Sequence, residues 1–200
     1  MMAGYQLLSL SPHDERGRVT LVVTVETRGG SEKKTYRVTQ KTYEEIGAPV
    51  AGDELSEETM AVLRRSLERQ EAVARAVKIL SFGDNNRSSL ARKLRERGHS
   101  EEATQYAVNR MVERGYIKED EQIERLARGY AEKKLWGSRR IFLHLLSKGY
   151  AAEDVRPILA RLSDGEIDFA ANFERLTSEV LGAGASAAER AELKYKYGYE

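Results

Sequence analysis

Leu90-Ala-Arg-Lys-Leu94-Arg-Glu-Arg97-Gly98-His99 and, fifty-one residues later, Ile141-Phe-Leu-His-Leu145-Leu-Ser-Lys148-Gly149-Tyr150 share one plan. Each sets an apolar pair at i and i+4, a basic residue three positions on, and a glycine directly after it. Residues four apart fall on one helix face, and a glycine just past the last turn can adopt the left-handed conformation that closes a helix. The duplication predicts a repeated small helical unit, and repetition without catalytic residues points to a binding surface.

The flanking sequence extends the repeat. Ser56 with Glu57 and Glu58 supplies an N-cap oxygen and acids at the positive end of a helix that runs to about Phe82, continuous or broken near Gln70. Its later part places Val73, Ala76, Val77 and Leu80 on one stripe. Ser88 or Ser89 is expected to cap the next helix, which ends at Gly98, and Ser100 starts a third that runs to Arg114. The second unit is read as helices from Glu119 to about Lys134, from Ser138 to Lys148 and from Ala152 to about Leu162, with Ile123, Leu126, Ala127 and Tyr130 on the inner stripe of the first. Pro157 conflicts with the third of these. Beyond the first turn proline removes a hydrogen bond and costs about 3 kcal/mol, so that helix is expected to begin later or to bend. A further helix bearing Phe169, Phe173, Leu176 and Val180 opens a third unit, Gly182-Ala-Gly184-Ala-Ser186 interrupts it, and Ala187 to Tyr197 begins another helix before the sequence stops.

Only the first forty residues alternate with period two. Val19, Leu21, Val23 and Val25 alternate against Thr20, Val22, Thr24 and Glu26, Arg28-Gly29-Gly30-Ser31 supplies a turn, and Thr35-Tyr-Arg-Val-Thr39 resumes the strand signal. Tyr5 to Leu10 is a third strand candidate, and the short Thr42-Tyr-Glu-Glu-Ile46 helix, ended by Gly47, is the expected cover for a sheet that is marginal alone. The fold class is therefore mainly α, with tandem three-helix repeats forming an extended, curved array preceded by a small antiparallel β-hairpin or sheet. The segments are a β-rich region at 1–50, a connecting helix at 51–71, repeats at 72–118 and 119–163, and a partial third repeat at 164–200.

Composition narrows the function classes. A chain of 200 residues, 40% hydrophobic and 32% charged, buries a core in one or two small domains. It has no cysteine, which removes disulfides and thiolate chemistry and makes a reducing, cytoplasmic setting the expectation. Met1-Met-Ala-Gly-Tyr5-Gln-Leu-Leu-Ser-Leu10 does not read as an export signal, and no run approaches the roughly 18 apolar residues of a membrane span. The net charge of +1 hides an asymmetry: by segment it is −1 over 1–70, +4 over 71–118, +2 over 119–162 and −4 over 163–200. His13, His99 and His144 stand apart in sequence with no metal-ligand spacing, and no Gly-rich phosphate loop occurs. Neither an enzyme nor a cofactor or metal site is expected.

The order of these elements resembles the RecX family of recombinase regulators. The resemblance rests on Ala76-Val-Lys-Ile-Leu80, on Ser88-Ser-Leu-Ala-Arg-Lys-Leu94 with Gly98, and on Gly115-Tyr116-Ile117 with Glu119 and Asp120. It continues through Gly137-Ser-Arg-Arg-Ile141 with Leu145, Lys148, Gly149 and Tyr150, and it covers about residues 72–162. Lys118-Glu-Asp-Glu121 stands where the family has a pair of aspartates, and the third repeat matches only through Lys196-Tyr197-Gly198-Tyr199. The resemblance implies a monomer that lies in the groove of a RecA-type filament on single-stranded DNA and lowers its ATPase and strand-exchange activity in recombination and repair.

Arg87, Arg92, Lys93, Arg95 and Arg97 form the densest basic stretch, and Lys133, Lys134, Arg139 and Arg140 bracket Trp136 in the next unit, with Lys148 at the end of its second helix. Such groups can meet the filament or neutralise DNA phosphates. Trp136 is read as filling a helix-helix corner, with stacking on a base as the other reading. Phe142, Leu143 and Leu146 project outward on the helix that carries Ile141 and Leu145, and must meet another element of the chain or a partner. The alternative function is direct DNA binding, with Ser88 to Arg97 as a helix-turn-helix recognition helix in the major groove.

Overall fold

The computed structural model describes residues 4–11, 14, 17–27 and 29–199. Arg28 of the expected turn, His13, Glu200 and the first three residues of the stretch read for export lie outside them. The elements are β1 Tyr5–Ser11, β2 Arg18–Thr27, β3 Gly30–Thr39, α1 Gln40–Glu45, α2 Glu57–Leu80, α3 Arg87–Arg95 and α4 Glu101–Glu113, followed by α5 Glu119–Lys134, α6 Ser138–Ser147, α7 Ala152–Ser163, α8 Phe169–Val180 and α9 Ala187–Tyr197. The chain is mainly helical with one small antiparallel sheet in the order β1-β2-β3. It divides into two compact units, Met1–Lys78 with Leu94–Arg110, and Ile79–Lys93 with Met111–Glu200.

In the first unit the period-two pattern does what alternation predicts. Val19, Leu21 and Val23 of β2 are buried, as are Tyr36 and Val38, the partners of Leu21 and Val19 on β3. The cover is not the helix expected from sequence. α1 has no buried residue and adds only Tyr43 and Ile46 at the margin, whereas Leu55, Met60 and Leu63 complete the core, with Leu67 packed against it. Met60, Leu63 and Leu67 follow the 3–4 spacing of an apolar helix stripe, so the front half of α2 closes the sheet. The helix is continuous through Gln70, and Ser56 Oγ accepts from Thr59 N (3.1 Å) at its start. The segment before it, which reads only as a break, pairs with β1 through Leu7 N to Asp53 O, Gly52 N to Leu7 O and Leu55 N to Tyr5 O, covering an otherwise open strand edge.

The second unit holds a complete three-helix repeat. Ile123, Ala127 and Ala131 of α5, Ile141 and Leu145 of α6, and Val155, Ile158, Leu159 and Leu162 of α7 form one core with Tyr150 and Ile167. Each of the larger aliphatic side chains contributes roughly 1.5–3 kcal/mol by leaving water. α7 begins at Ala152 despite Pro157. Glu153, whose carbonyl loses its amide partner, and Pro157 itself are both exposed, so water can satisfy the freed oxygen. Beyond α7, Leu135, Leu176 and Leu193 form a second core with Phe173, Leu181, Tyr197 and Tyr199, which seats α8 and α9 on the turn between α5 and α6.

The opening duplication is realised in backbone geometry. Leu90, Leu94, Ile141 and Leu145 are fully buried. Gly98 and Gly149 take φ of 85° and 90°, and each helix closes with the same two bonds, Gly98 N to Arg95 O with His99 N to Leu94 O, and Gly149 N to Leu146 O with Tyr150 N to Leu145 O. These are Schellman closures. Gly198 and Tyr199 repeat them against Tyr195 O and Lys194 O, which aligns α9 with α6 and places Lys194 at the position of Leu145. Lys194 is exposed there and the neighbouring Leu193 takes the buried place, so α9 lacks the apolar i, i+4 pair that marks the other two copies in sequence.

Candidate partner-binding face

The cap of α3 is Asn86, not Ser88 or Ser89: its Oδ1 accepts from Ser89 N (2.7 Å). Its Nδ2 donates to Lys148 O (2.9 Å), so the same buried side chain starts α3 and ties it to the α6–α7 turn. A Cβ on Gly149 would stand 2.9 Å from Ser88 Oγ, which is why this closure needs glycine for space as well as for its φ. Glu119, 7% exposed, accepts from Arg87 N (2.6 Å) and pairs with Arg87 Nε (3.3 Å). Buried Gln122 donates to Asn85 O (3.4 Å) and accepts from Tyr150 OH (3.0 Å). Burial first, then the Glu119 charge, pushes the Tyr150 hydroxyl above its ordinary pKa.

The basic stretch is therefore woven into the fold. Lys93 donates to Asn85 Oδ1 (2.5 Å), and Arg95 Nη1 reaches both oxygens of Glu101 (2.8 and 3.1 Å). Arg92 and Arg97 are exposed and likewise engaged by neighbouring groups. The acidic element Lys118-Glu-Asp-Glu121, noted in sequence for its register, supplies in Glu119 the anchor of Arg87.

The second cluster is built differently. Trp136 stacks on Tyr130 (centroids 4.9 Å, 18° between planes), and His144 meets both edge-on at 5.1 and 4.9 Å. Lys134 Nζ lies 4.8 Å from the Trp136 centroid, and Arg140 Cζ lies 4.4 Å above that ring and 5.2 Å from Tyr197. Arg140 also donates to Lys196 O (3.0 Å). Each cation-ring contact contributes about 0.5–2 kcal/mol according to its exposure. Trp136 thus fills the α5–α6 corner, its ring taken up by Tyr130, His144, Lys134 and Arg140. His144 Nε2 lies 3.1 Å from Tyr130 OH, and its pKa is held below the ordinary value, by burial first and then by Lys148, Lys134 and Arg140.

The corner is locked by close backbone approach. Gly137 N donates to Tyr197 O (2.8 Å), and a Cβ on Gly137 would fall 2.2 Å from Gly198 O. A Cβ on Gly198, itself at φ 75°, would fall 2.4 Å from Arg140 N. The Gly137-Ser-Arg-Arg and Lys-Tyr-Gly-Tyr motifs are two sides of one contact. Tyr199 OH donates to Leu135 O (2.8 Å), and burial raises its pKa to about 12.

Not every cation here is absorbed. Lys133, Arg139 and Lys148 are exposed, and no carboxylate among the described residues pairs with them, whereas Arg128 and Arg161 are held by Glu124 and Glu166. The apolar outer residues of α6 divide as well. Phe142 packs on its own repeat with Arg156 5.2 Å over its ring, Leu146 is half-buried, and Leu143 stays 55% exposed. Of the two readings, another element of the chain or a partner, the first holds for Phe142, while Leu143 stays largely open to water. The face offers charge and apolar contact. Among the described residues no group of three or more His, Cys, Asp or Glu side chains is placed to hold a metal ion.

No protein-family model matches the chain. A curated regulatory protein RecX from Caldanaerobacter subterraneus subsp. tengcongensis is 32% identical over 111 residues, covering 54% of each chain. Another from Pseudomonas entomophila is 32% identical over 101 residues, covering 50% of this chain and 63% of that one. The chain thus spans between half and two thirds of these relatives' length. A crystal structure of a regulatory protein RecX matches all of this chain and 95% of the other with a TM-score of 0.67 at 18% identity, a likeness of fold. No helix among the described residues is long and apolar enough to cross a membrane.

Proposed function

Because the chain belongs to the RecX family of regulatory proteins, we propose that it binds a RecA-type filament on single-stranded DNA and lowers its ATPase and strand-exchange activity. The observation that carries this reading is the 32% identity over 111 residues to a curated regulatory protein RecX. Arg139, exposed beside Leu143 with no carboxylate partner among the described residues, supports binding rather than chemistry, since the face has a cation and an apolar spot but no paired acid and base. The protein acts in the cytoplasm, as a monomer, without a cofactor and without catalysing a reaction itself.

Direct major-groove reading by α3 has less in its favour. A recognition helix contacts bases with its N-terminal residues. In α3 that end is given over to Asn86 on Lys148 O, Ser88 against Gly149 and Arg87 on Glu119. The test is ATP hydrolysis by RecA assembled on single-stranded DNA as this protein is added. Progressive loss of hydrolysis supports the reading. An unchanged rate, together with tight, sequence-selective binding to bare duplex, overturns it.

A further inference from the structure

Leu143 sits on a ridge between two open grooves of the second unit. One, of about 510 Å3, is lined by Ser138, Arg139, Phe142, Arg156, Leu159 and Ala160 among others. The other, of about 260 Å3, is lined by Arg139, Arg140, Tyr195, Lys196 and Gly198. Leu143 and Arg139 line both. Leu143 is 55% and Tyr195 82% exposed, so the ridge and one wall present apolar surface to water. The smaller groove is below the usual size of a small-molecule pocket, and both suit protruding side chains better than an enclosed ligand.

The charge around this surface has one sign. Arg139, Arg140, Arg156 and Lys196 contribute to the grooves, and neither groove is lined by a carboxylate. Glu153, Asp154 and Glu192 lie close in sequence yet line neither. Among the described residues no ion pair involves Arg139, Arg156 or Lys196. Elsewhere in the unit cations find acids, as Arg128 and Arg161 do with Glu124 and Glu166 and Arg190 with Glu174. Unpaired cations around an apolar ridge complement a segment with the opposite pattern.

We infer that the α6 ridge and its two grooves dock an acidic peptide segment of a partner protein, carrying an aliphatic or aromatic anchor between carboxylates. This rests on the reading of the chain as a partner-binding regulator and names the chemistry of the segment it takes. A protein segment fits better than a nucleic acid because aliphatic walls from Leu143, Leu159 and Ala160 give nothing to a phosphodiester. Of the neighbouring aromatic rings, Phe142 lies under Arg156 and Trp136 is stacked on Tyr130 with Arg140 above it, which leaves Tyr195 as the one exposed ring lining the grooves, too few for a run of stacked bases.

The test is fluorescence anisotropy on the full chain. The probe is a labelled twelve-residue peptide that alternates Glu or Asp with Leu, compared with its Gln and Asn counterpart and with an oligothymidylate of similar charge. The acidic peptide is expected to bind at least tenfold more tightly than its neutral counterpart. Leu143→Ser and Arg139→Glu, both at exposed positions and checked for unchanged circular dichroism, should each weaken it at least tenfold. Equal binding of the two peptides, or acidic-peptide binding that both substitutions leave intact, overturns the inference. So does tighter binding of oligothymidylate that Arg139→Glu abolishes and Leu143→Ser spares, which would give the face to nucleic acid, or a dimer in sedimentation that Leu143→Ser dissolves, which would give it to a second copy. Failure of the parent protein to change RecA hydrolysis would instead strike the regulator reading, so the two failures are told apart.

Discussion

α3 and α6 occupy equivalent places in two copies of one plan, yet their basic residues have opposite fates. On α3, Arg87 is bound to Glu119, Lys93 to Asn85 and Arg95 to Glu101. On α6, Arg140 is drawn into the Trp136 corner, while Arg139 stays exposed beside an exposed Leu143. Density of charge in sequence is thus a poor guide to availability. The denser stretch is the more engaged one, because Asn85 just before the helix, Glu101 just after it and Glu119 farther along the chain supply its partners.

The shared inner skeleton sets the largest expected effects. Leu94→Ala and Leu145→Ala remove fully buried side chains at matching positions, and each should cost about 2–5 kcal/mol in denaturant unfolding. A loss at one position only would break the equivalence of the two helices. Gly137→Ala drives a methyl into Gly198 O and should cost about 1–3 kcal/mol or prevent folding.

Next come the changes that separate the regions. Asn86→Ala removes a cap and orphans Lys148 O, so about 2 kcal/mol should be lost, whereas Arg139→Ala should move stability by no more than about 0.5 kcal/mol. Gly149→Ala meets a left-handed φ and Ser88 together, while Gly98→Ala meets the φ alone in open space. The left-handed conformation alone costs about 1–2 kcal/mol, so Gly149→Ala should exceed Gly98→Ala in the same unfolding experiment.

The smallest effect is pH-dependent and arises in the α6 corner, at His144. Folding holds the His144 pKa below its ordinary 6.5, so between the two values the unfolded chain binds the proton and the folded one does not. Stability is therefore full above about pH 6.5 and falls as pH drops below it, until the folded imidazole is itself protonated. Denaturant midpoints at pH 7.5 and 5.5 should differ less in His144→Gln than in the parent.

Much of the fold is legible in the sequence. The i, i+4 apolar pairs, the acids at helix starts and the closing glycines place α5 at Glu119–Lys134 and locate most of the other helices, because those signals are local. What is missed is non-local or degenerate. Asn86 competes as a cap with Ser88 and Ser89, which are chemically as suitable, and only its bond to a carbonyl sixty-two residues away decides. The cover of the sheet falls to α2 because Met60 and Leu63 continue the strand core, a match visible only once both elements are placed. The Gly137–Gly198 contact leaves no trace in spacing, and the engagement of the α3 cations depends on partners such as Glu119, far along the chain.

The central claim is that the α6 face, not the α3 stretch, meets the partner. It is tested by the amount of protein needed to halve RecA hydrolysis on single-stranded DNA, measured for Arg95→Glu and Arg139→Glu, both at exposed positions and each to be checked for unchanged circular dichroism. The account predicts that Arg139→Glu raises that amount at least tenfold while Arg95→Glu changes it less than threefold. The reverse order, or equal loss from both, would contradict it.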